Sequence, residues 1–323
     1  MTSADQSSAI TVEAIEAAAA RIAGHIRRTP MVEVTQVRNR PVPNPLFLKL
    51  ESLQVTGAFK ARGAINRLLT TPRATLEKGI VTASGGNHGM AVARAGFLAQ
   101  VPTTIYLPPN ASRAKIKSLA DWNATVRIVG EKWDDADAAA RAQAESEGAV
   151  YFHPFKDPDV VIGQGTVALE MLDQVPNLDV YLVAIGGGGL ISGLATAVHA
   201  RNPKARIIGI EPTGSPTLHA ALAAGGPVQL ERQWTRVATM SCGKTAPLIY
   251  DIVSKHVEEI VLVEDDQLLA AARWILSEFS IRADLSAAAA IAALSLGKIK
   301  LEPHERVGTL ICGSDDAALD PVE

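Results

Sequence analysis

The stretch "VAIGGGGLISGLATAV", residues 183–198, runs from an apolar strand through four glycines into an alanine-rich helix. Glycine has no Cβ, so the backbone of Gly186, Gly187, Gly188 and Gly189 can turn sharply and aim several N–H groups at one anion. The helix beginning near Leu190 adds the positive end of its dipole. Strand, phosphate-sized cup and helix make one unit of an α/β fold. The plain alternative, a turn without a ligand, sits poorly with the entropy that four consecutive glycines cost. No frame of "GGGGLISG" places glycines first, third and sixth, which excludes a dinucleotide fingerprint. "SCGKT" (241–245) is not a Walker loop, because position 238 is Ala238 rather than glycine. A single phosphate on a smaller cofactor fits best.

Outward from this unit the chain alternates. "GIVTAS" (79–84), "TTIYLP" (103–108), "TVRIVG" (125–130), "VYLVAIG" (180–186), "ARIIGIEP" (205–212), "EIVLVED" (259–265) and "VGTLICG" (307–313) read as strands. Helical stretches such as "WDDADAAARAQAESEG" and "QLLAAARWILSEF" separate many of them. Val12, Ile15, Ala19, Ile22 and Ile26 recur at helical spacing, with Thr11 as N-cap and Arg27-Arg28 suiting the end. Continuous apolar strands between helices predict an α/β fold, its parallel-rich sheet covered on both faces. Seven strands suit one sheet or two. Ligands in such folds sit beyond the carboxyl ends of strands.

The 323 residues are 47% hydrophobic and 20% charged, enough for a large core and too apolar for disorder. A net charge of −3 gives no reason to expect nucleic acid or an anionic membrane. Two cysteines, Cys242 and Cys312, make neither a disulfide framework nor a metal cluster and suit a reducing compartment. The polar start "MTSADQSSAI" lacks a secretion pattern, and no apolar run reaches membrane-spanning length. A cytoplasmic location is expected.

Two further strand ends carry chemistry. In "VTASGGNHGMAVA", Ser84, Gly85, Gly86, Asn87 and His88 gather hydroxyl, amide and backbone donors suited to a substrate carboxylate or a ring oxygen; the plain reading is a helix start capped by Ser84 or Asn87. In "TLICGSDDAALD" the last strand ends at Cys312, by itself a small buried hydrophobe. Upstream, "TGAFKARGA" (56–64) sets Lys60 after Phe59 and among small residues. A lysine held in an apolar site has a lowered pKa and becomes a nucleophile toward a carbonyl. Phosphate cup, lysine and oxygen-binding asparagine are what an aldehyde cofactor with one phosphate requires: pyridoxal 5′-phosphate.

With these motifs in order, the chain resembles the pyridoxal-phosphate-dependent serine/threonine dehydratase family, which includes serine racemases and shares fold type II with the tryptophan synthase β chain. The resemblance runs from about Arg28 to Gly313. It lies in "RTP" (28–30), "KLESLQVTGAFKARGA" (49–64), "ASGGNHGMAVA" (83–93), "LPPNASRAK" (107–115), "HPFKDPDVVIGQGTVALE" (153–170), "GGGGL" (186–190), "GIEP" (209–212) and "CGSD" (312–315). It implies two α/β lobes, a large one of residues 1–68 with 151–323 and a small inserted one of residues 69–150. It also implies a homodimer. The cofactor would lie between the lobes, bonded to Lys60. Phe59 would pack on its ring, Asn87 would bond the ring hydroxyl, Gly186 to Leu190 would hold the phosphate, and Cys312 would face the ring nitrogen.

A thiol at Cys312, rather than a carboxylate, would not stabilise a protonated ring. A long-lived carbanion is then disfavoured, and departure of a β-hydroxyl as the Cα proton leaves is favoured. The expected reaction is loss of water from a β-hydroxy-α-amino acid, giving a 2-oxo acid and ammonia. The freed Lys60 amine is the general base, and in the resembled family the cofactor phosphate protonates the leaving hydroxyl. The resembled racemases place a serine two residues before the asparagine. Here that residue is Gly85, with Ser84 one residue further away as the remaining acid/base candidate, so elimination is expected over racemisation.

Some positions depart from the family. Its divalent-cation members carry an acidic residue six positions after the glutamate of "EP"; here Glu211 is followed by Thr217, and no strong divalent site is expected. The family's "ADG" loop is Ser241-Cys242-Gly243. Its Glu-Pro before the alanine-rich helix is Asp284-Leu285, where Asp284 either replaces that glutamate near the ring or caps the helix. These departures lie where substrate side chains are sorted, so the substrate side chain stays open: threonine or serine, as the resemblance implies, or a bulkier or more polar β-hydroxy amino acid or a derivative of one. The sequence runs about ten residues past Cys312, and the regulatory domain of the biosynthetic threonine dehydratases is expected to be missing.

Overall fold

The computed structural model describes residues 9–316 except 110, 112 and 132. Asn110 and Ser112 of "LPPNASRAK", and most of the polar start, lie outside the described residues. Ten strands form two sheets: β1 (Met31–Glu33), β2 (Leu46–Lys49), β3 (Ile80–Ala83), β4 (Thr103–Leu107), β5 (Thr125–Ile128), β6 (Val150–Tyr151), β7 (Val180–Ala184), β8 (Arg206–Pro212), β9 (Glu259–Val263) and β10 (Val307–Leu310). All seven sequence-predicted strands are present. β1, β2 and β6 were not foreseen: β1 and β6 are only three and two residues long, too short to show a period, and β2 directly follows Pro41, Pro43 and Pro45, which mask it as a loop.

The six-stranded sheet has the order β1-β2-β10-β7-β8-β9, and the four-stranded sheet β5-β4-β3-β6. Every pairing is parallel except β1 with β2. The short β2 matters most: it joins the N-terminal segment to the C-terminal strand β10, with Leu46 opposite Val307 and Lys49 opposite Leu310. All strands of the smaller sheet come from residues 80–151.

Burial follows this division. β2, β3, β4 and β10 are buried along their whole length, as parallel strands between helices must be. One large core surrounds β7, β8 and β10. The smaller sheet carries a core on each face: Ala64, Ile65 and Leu68 pack with Ile80 and Ile105, and Ala136 and Ala140 with Val81, Ala83 and Tyr106.

The first helix, Val12–Ile22, starts as expected with the Thr11 hydroxyl accepting from the Ala14 N–H (3.2 Å). It ends at Ile22, one turn before Ile26, where the His25 N–H closes a turn on the Ile22 carbonyl. No described helix is long and apolar enough to cross a membrane.

Candidate active site

The carboxyl ends of β3, β6, β7 and β10 converge with the turn after β2. In that turn Thr56 (φ 63°) and Gly57 (φ 75°) adopt left-handed conformations. They bend the chain back so that the Lys60–Thr70 helix starts beside the end of β10. The Phe59 N–H donates to the Cys312 carbonyl (3.0 Å), and the Ser314 N–H donates to the Gly57 carbonyl (3.0 Å). A side chain at position 57 would meet the Ser314 hydroxyl at 2.7 Å, so the turn needs glycine twice over. Lys60 is thus placed by backbone bonds to residues some 250 positions away.

Lys60 is partly buried, and its Nζ donates to the Pro154 carbonyl (3.1 Å) and stands 5.1 Å from the Phe59 ring centre. Burial pulls its pKa from 10.5 down to about 8. At neutral pH that leaves about a tenth of the amine neutral, against well under about 0.1% for an ordinary lysine, and the neutral form is what a nucleophile and general base needs.

The tetraglycine loop fits a phosphate cradle. A Cβ on Gly186 would meet the Thr239 carbonyl at 2.6 Å, one on Gly187 the Phe155 ring at 2.2 Å, and one on Gly188 (φ +93°) the Ile249 side chain at 2.4 Å. The loop is therefore walled on the protein side and kept free of its own side chains. The Gly189–Arg201 helix leaves from it, so its first N–H groups have no partner within the helix. Thr245 donates to the Gly187 carbonyl (3.1 Å), pinning the turn. The donor set suits a singly phosphorylated aldehyde.

The Asn87–Ala99 helix begins at Asn87, with Gly86 as N-cap and no side-chain cap, so neither Ser84 nor Asn87 plays that part. Asn87 instead donates through Nδ2 to Asp284 Oδ2 (3.0 Å). Asp284 Oδ1 accepts from the Ser286 hydroxyl (2.6 Å) and the Ala287 N–H (2.8 Å), and Ser286 touches Cys312 Sγ at 3.5 Å. Asp284 therefore closes the turn that follows it with one oxygen and bonds Asn87 with the other; it does not cap the alanine-rich helix Ala289–Ser295, whose N-cap is Ala288. Burial, and then the Asp284 carboxylate, hold the Cys312 thiol well above its usual pKa, so it stays a neutral S–H. Ser84 faces its own turn, its hydroxyl accepting from the Gly86 N–H (3.4 Å). A Cβ on Gly85 would press on Leu107 at 3.1 Å.

His88 is buried and donates from Nε2 to the Phe152 carbonyl (3.0 Å); burial, then the Lys60 charge, lowers its pKa to about 3. It is a neutral imidazole. Glu211 is buried too, and its carboxylate accepts the N–H groups of Leu218 and His219 (2.8 and 2.9 Å) at the start of the Thr217–Ala224 helix. Both of its oxygens thus serve that helix.

Sequence reasoning missed a buried ion network behind Lys60. Arg62 holds Glu51 through two 2.7 Å bonds and Glu170 through a third, and Lys49 holds Glu170 and the Thr29 carbonyl. The signal was present in "KLESLQVTGAFKARGA": Lys49, Glu51 and Arg62, three of its four charges, lie among apolar residues, and such charges are paired if they are buried.

A family model described as pyridoxal-phosphate dependent enzyme matches residues 22–313. The chain belongs to that family. It is 38% identical over 280 residues to an L-threonine ammonia-lyase of Geobacter sulfurreducens, covering 87% of this chain and 69% of that one. It is 34% identical over 321 residues to a phenylserine dehydratase of Ralstonia pickettii, covering 98% and 97%. The solved structure of maize serine racemase superposes with a TM-score of 0.89 at 32% identity, covering 94% and 93%. The fold is that of the type II pyridoxal-phosphate enzymes, α/β with mostly parallel sheets, as the sequence predicted. The residues around Lys60 fit the family's cofactor by their own geometry: a partly buried amine, a glycine cradle and an asparagine amide.

Proposed function

We propose that this enzyme removes water from a β-hydroxy-α-amino acid to give a 2-oxo acid and ammonia, with pyridoxal 5′-phosphate bound at Lys60. The observation that carries the reading is the partly buried Lys60 amine beside the glycine cradle, its pKa lowered by burial to about 8. The lyase relatives support it. The aryl substrate in the name of the Ralstonia pickettii relative keeps substituents larger than threonine's methyl in range.

Pyridoxal 5′-phosphate, when bound, supplies an electron sink for the Cα–H bond that breaks. The chain supplies the rest. Backbone N–H groups from Gly186 to Leu190 hold the phosphate, and Phe59 supports the ring. Asn87, with one amide hydrogen on Asp284, keeps its second for the ring oxygen. The neutral Cys312 thiol gives the ring nitrogen no charge to hold a proton, which favours loss of a β-hydroxyl over a persistent carbanion. The Ser84 hydroxyl and the backbone N–H groups of the turn through Gly85, Gly86, Asn87 and His88 bind the substrate carboxylate. Lys60 Nζ takes the Cα proton.

Racemisation needs a second acid/base on the far face. Gly85 has no side chain to offer, and Ser84 turns toward its own loop. We further propose two lobes, residues 1–68 with 151–323 and residues 69–150, a homodimer, and a cytoplasmic location. The last is supported by two free cysteines.

The test is a panel of β-hydroxy amino acids given to the holoenzyme in deuterated water, with oxo acid, ammonia and recovered enantiomers measured. Oxo acid and ammonia in equal amounts support the lyase. Labelled opposite enantiomer without oxo acid would make it a racemase and overturn the reading.

A further inference from the structure

The Trp133–Glu147 helix follows β5 and returns over the smaller sheet. A helix between parallel strands runs against them, so its first turn lies at their carboxyl edge. Ala136 and Ala140 are buried against Val81, Ala83 and Tyr106. Trp133 shares their face at three- and seven-residue spacing, one turn nearer that edge. It overhangs the point where β3 gives way to Ser84. Its indole N–H is fixed there, donating to the Ala83 carbonyl (2.9 Å). Yet the residue is left 40% exposed. A tryptophan anchored by its one polar atom and still partly open at a strand end is a ready-made wall.

We propose that Trp133 is a specificity-determining residue that receives the substrate's β-substituent, and that the site takes β-hydroxy-α-amino acids carrying a neutral, flat substituent such as an aryl ring. This rests on the lyase reading above. If the carboxylate sits in the Ser84–His88 turn, the β-substituent extends past the end of β3, where the indole stands. A flat ring covers an indole with offset or edge contacts that a methyl group is too small to make.

A cationic substituent would also suit the indole face, and Asp134 and Asp135 follow the tryptophan in its own first turn. Against it stand the fields of Lys156 and Lys60, which reach Cys242 with that of Glu211, and the positive N-terminus of the helix. The family's acidic "ADG" loop is here Ser241-Cys242-Gly243. Burial lifts the Cys242 pKa to about 11, so the thiol brings no negative charge.

The test compares wild-type holoenzyme with Trp133→Ala, Trp133→Leu and Trp133→Phe on β-phenylserine, threonine and 3-hydroxyaspartate, reading oxo-acid formation as kcat/KM. Cofactor absorbance and melting temperature report whether each variant is folded and loaded. The wild type is expected to prefer phenylserine to threonine by about tenfold or more. Trp133→Ala should lose about tenfold on phenylserine, with threonine changed less than about threefold. Trp133→Leu, which keeps bulk without a π face, covers the case in which the alanine variant does not fold. Trp133→Phe should keep the preference. A wild type that prefers threonine or hydroxyaspartate, or variants that lose equally on all three, would overturn the proposal. Turnover of threonine alone leaves the lyase reading standing without it; no oxo acid from any substrate sinks both.

Discussion

Lys60 differs from the chain's other lysines because of the bend before it. The left-handed Thr56 and Gly57 aim the helix start at the end of β10, and the surroundings remove enough water to bring the amine's pKa down to about 8. The neutral amine is the reactive form. The rate at which cofactor-free enzyme takes up pyridoxal phosphate should therefore climb with pH up to about 8 and level off above it. An ordinary lysine would keep climbing toward 10.5. Stopped-flow absorbance over that range distinguishes the two, and a profile still rising at pH 10 would contradict the burial argument. Lys60→Ala should bind the cofactor without a covalent bond and lose at least about a thousandfold in kcat, from the combined loss of attachment and base. At this scale the places of Lys60, Asn87 and Cys312 at helix starts and a strand end were legible because each sits in a short local motif. The partner of Asn87 was not, because Asp284 is 197 positions away and only the fold brings the two together.

The elements that carry Lys60 pack unusually close. A Cβ on Gly163 would meet the Gly63 Cα at 2.6 Å and the Arg62 carbonyl at 2.7 Å, and one on Gly193 would meet the Val161 carbonyl at 2.4 Å. The helices Lys60–Thr70, Pro158–Gln174 and Gly189–Arg201 thus touch backbone to backbone, and no side-chain shift relieves an added methyl. Gly163→Ala should cost roughly 3 kcal/mol by overpacking, whereas Gly24→Ala, with nothing within 4 Å, should stay within about 0.5 kcal/mol; urea unfolding reads both. The ion network obeys a different rule. Removing Arg62 leaves Glu51 fully buried and unpaired, so Arg62→Ala should cost about 3–5 kcal/mol. Lys117→Ala breaks a pair with both side chains more than half exposed and should cost about 0.5 kcal/mol or less. If the two losses were equal, the network would be ornamental. Sequence patterning revealed the helices and long strands, whose periods run for many residues. It did not reveal which glycines are contacts and which are turns, because that depends on what lies opposite.

The molecule brings together parts that belong to two separate sheets. Lys60, the glycine loop and Cys312 lie at the edge of the six-stranded sheet, while Ser84 to Asn87 lie at the edge of the four-stranded one. The sequence pointed to strand ends as the place for the site. The strand pattern by itself left one sheet or two open, because β6 is two residues long and β2 follows three prolines; only the family resemblance implied two lobes. Across the site the Asn87–Asp284 bond is a direct polar link, worth about 1.5–3 kcal/mol to a charged acceptor. A cofactor held by the glycine loop on one side and Asn87 on the other adds a second link. Loading should then protect both sides at once: amide exchange should slow together in residues 84–88 and 186–190. At a hundredfold excess over its Kd, linkage adds about 2.7 kcal/mol, which for a chain this long raises the melting temperature by about 4 °C. In Asn87→Ala the glycine loop should still gain protection while residues 84–88 gain little, since the bridge is cut on that side only. Slowed exchange confined to residues 186–190 in the wild type would mean that the cofactor rests on the larger sheet alone, and that the smaller sheet is recruited by the substrate.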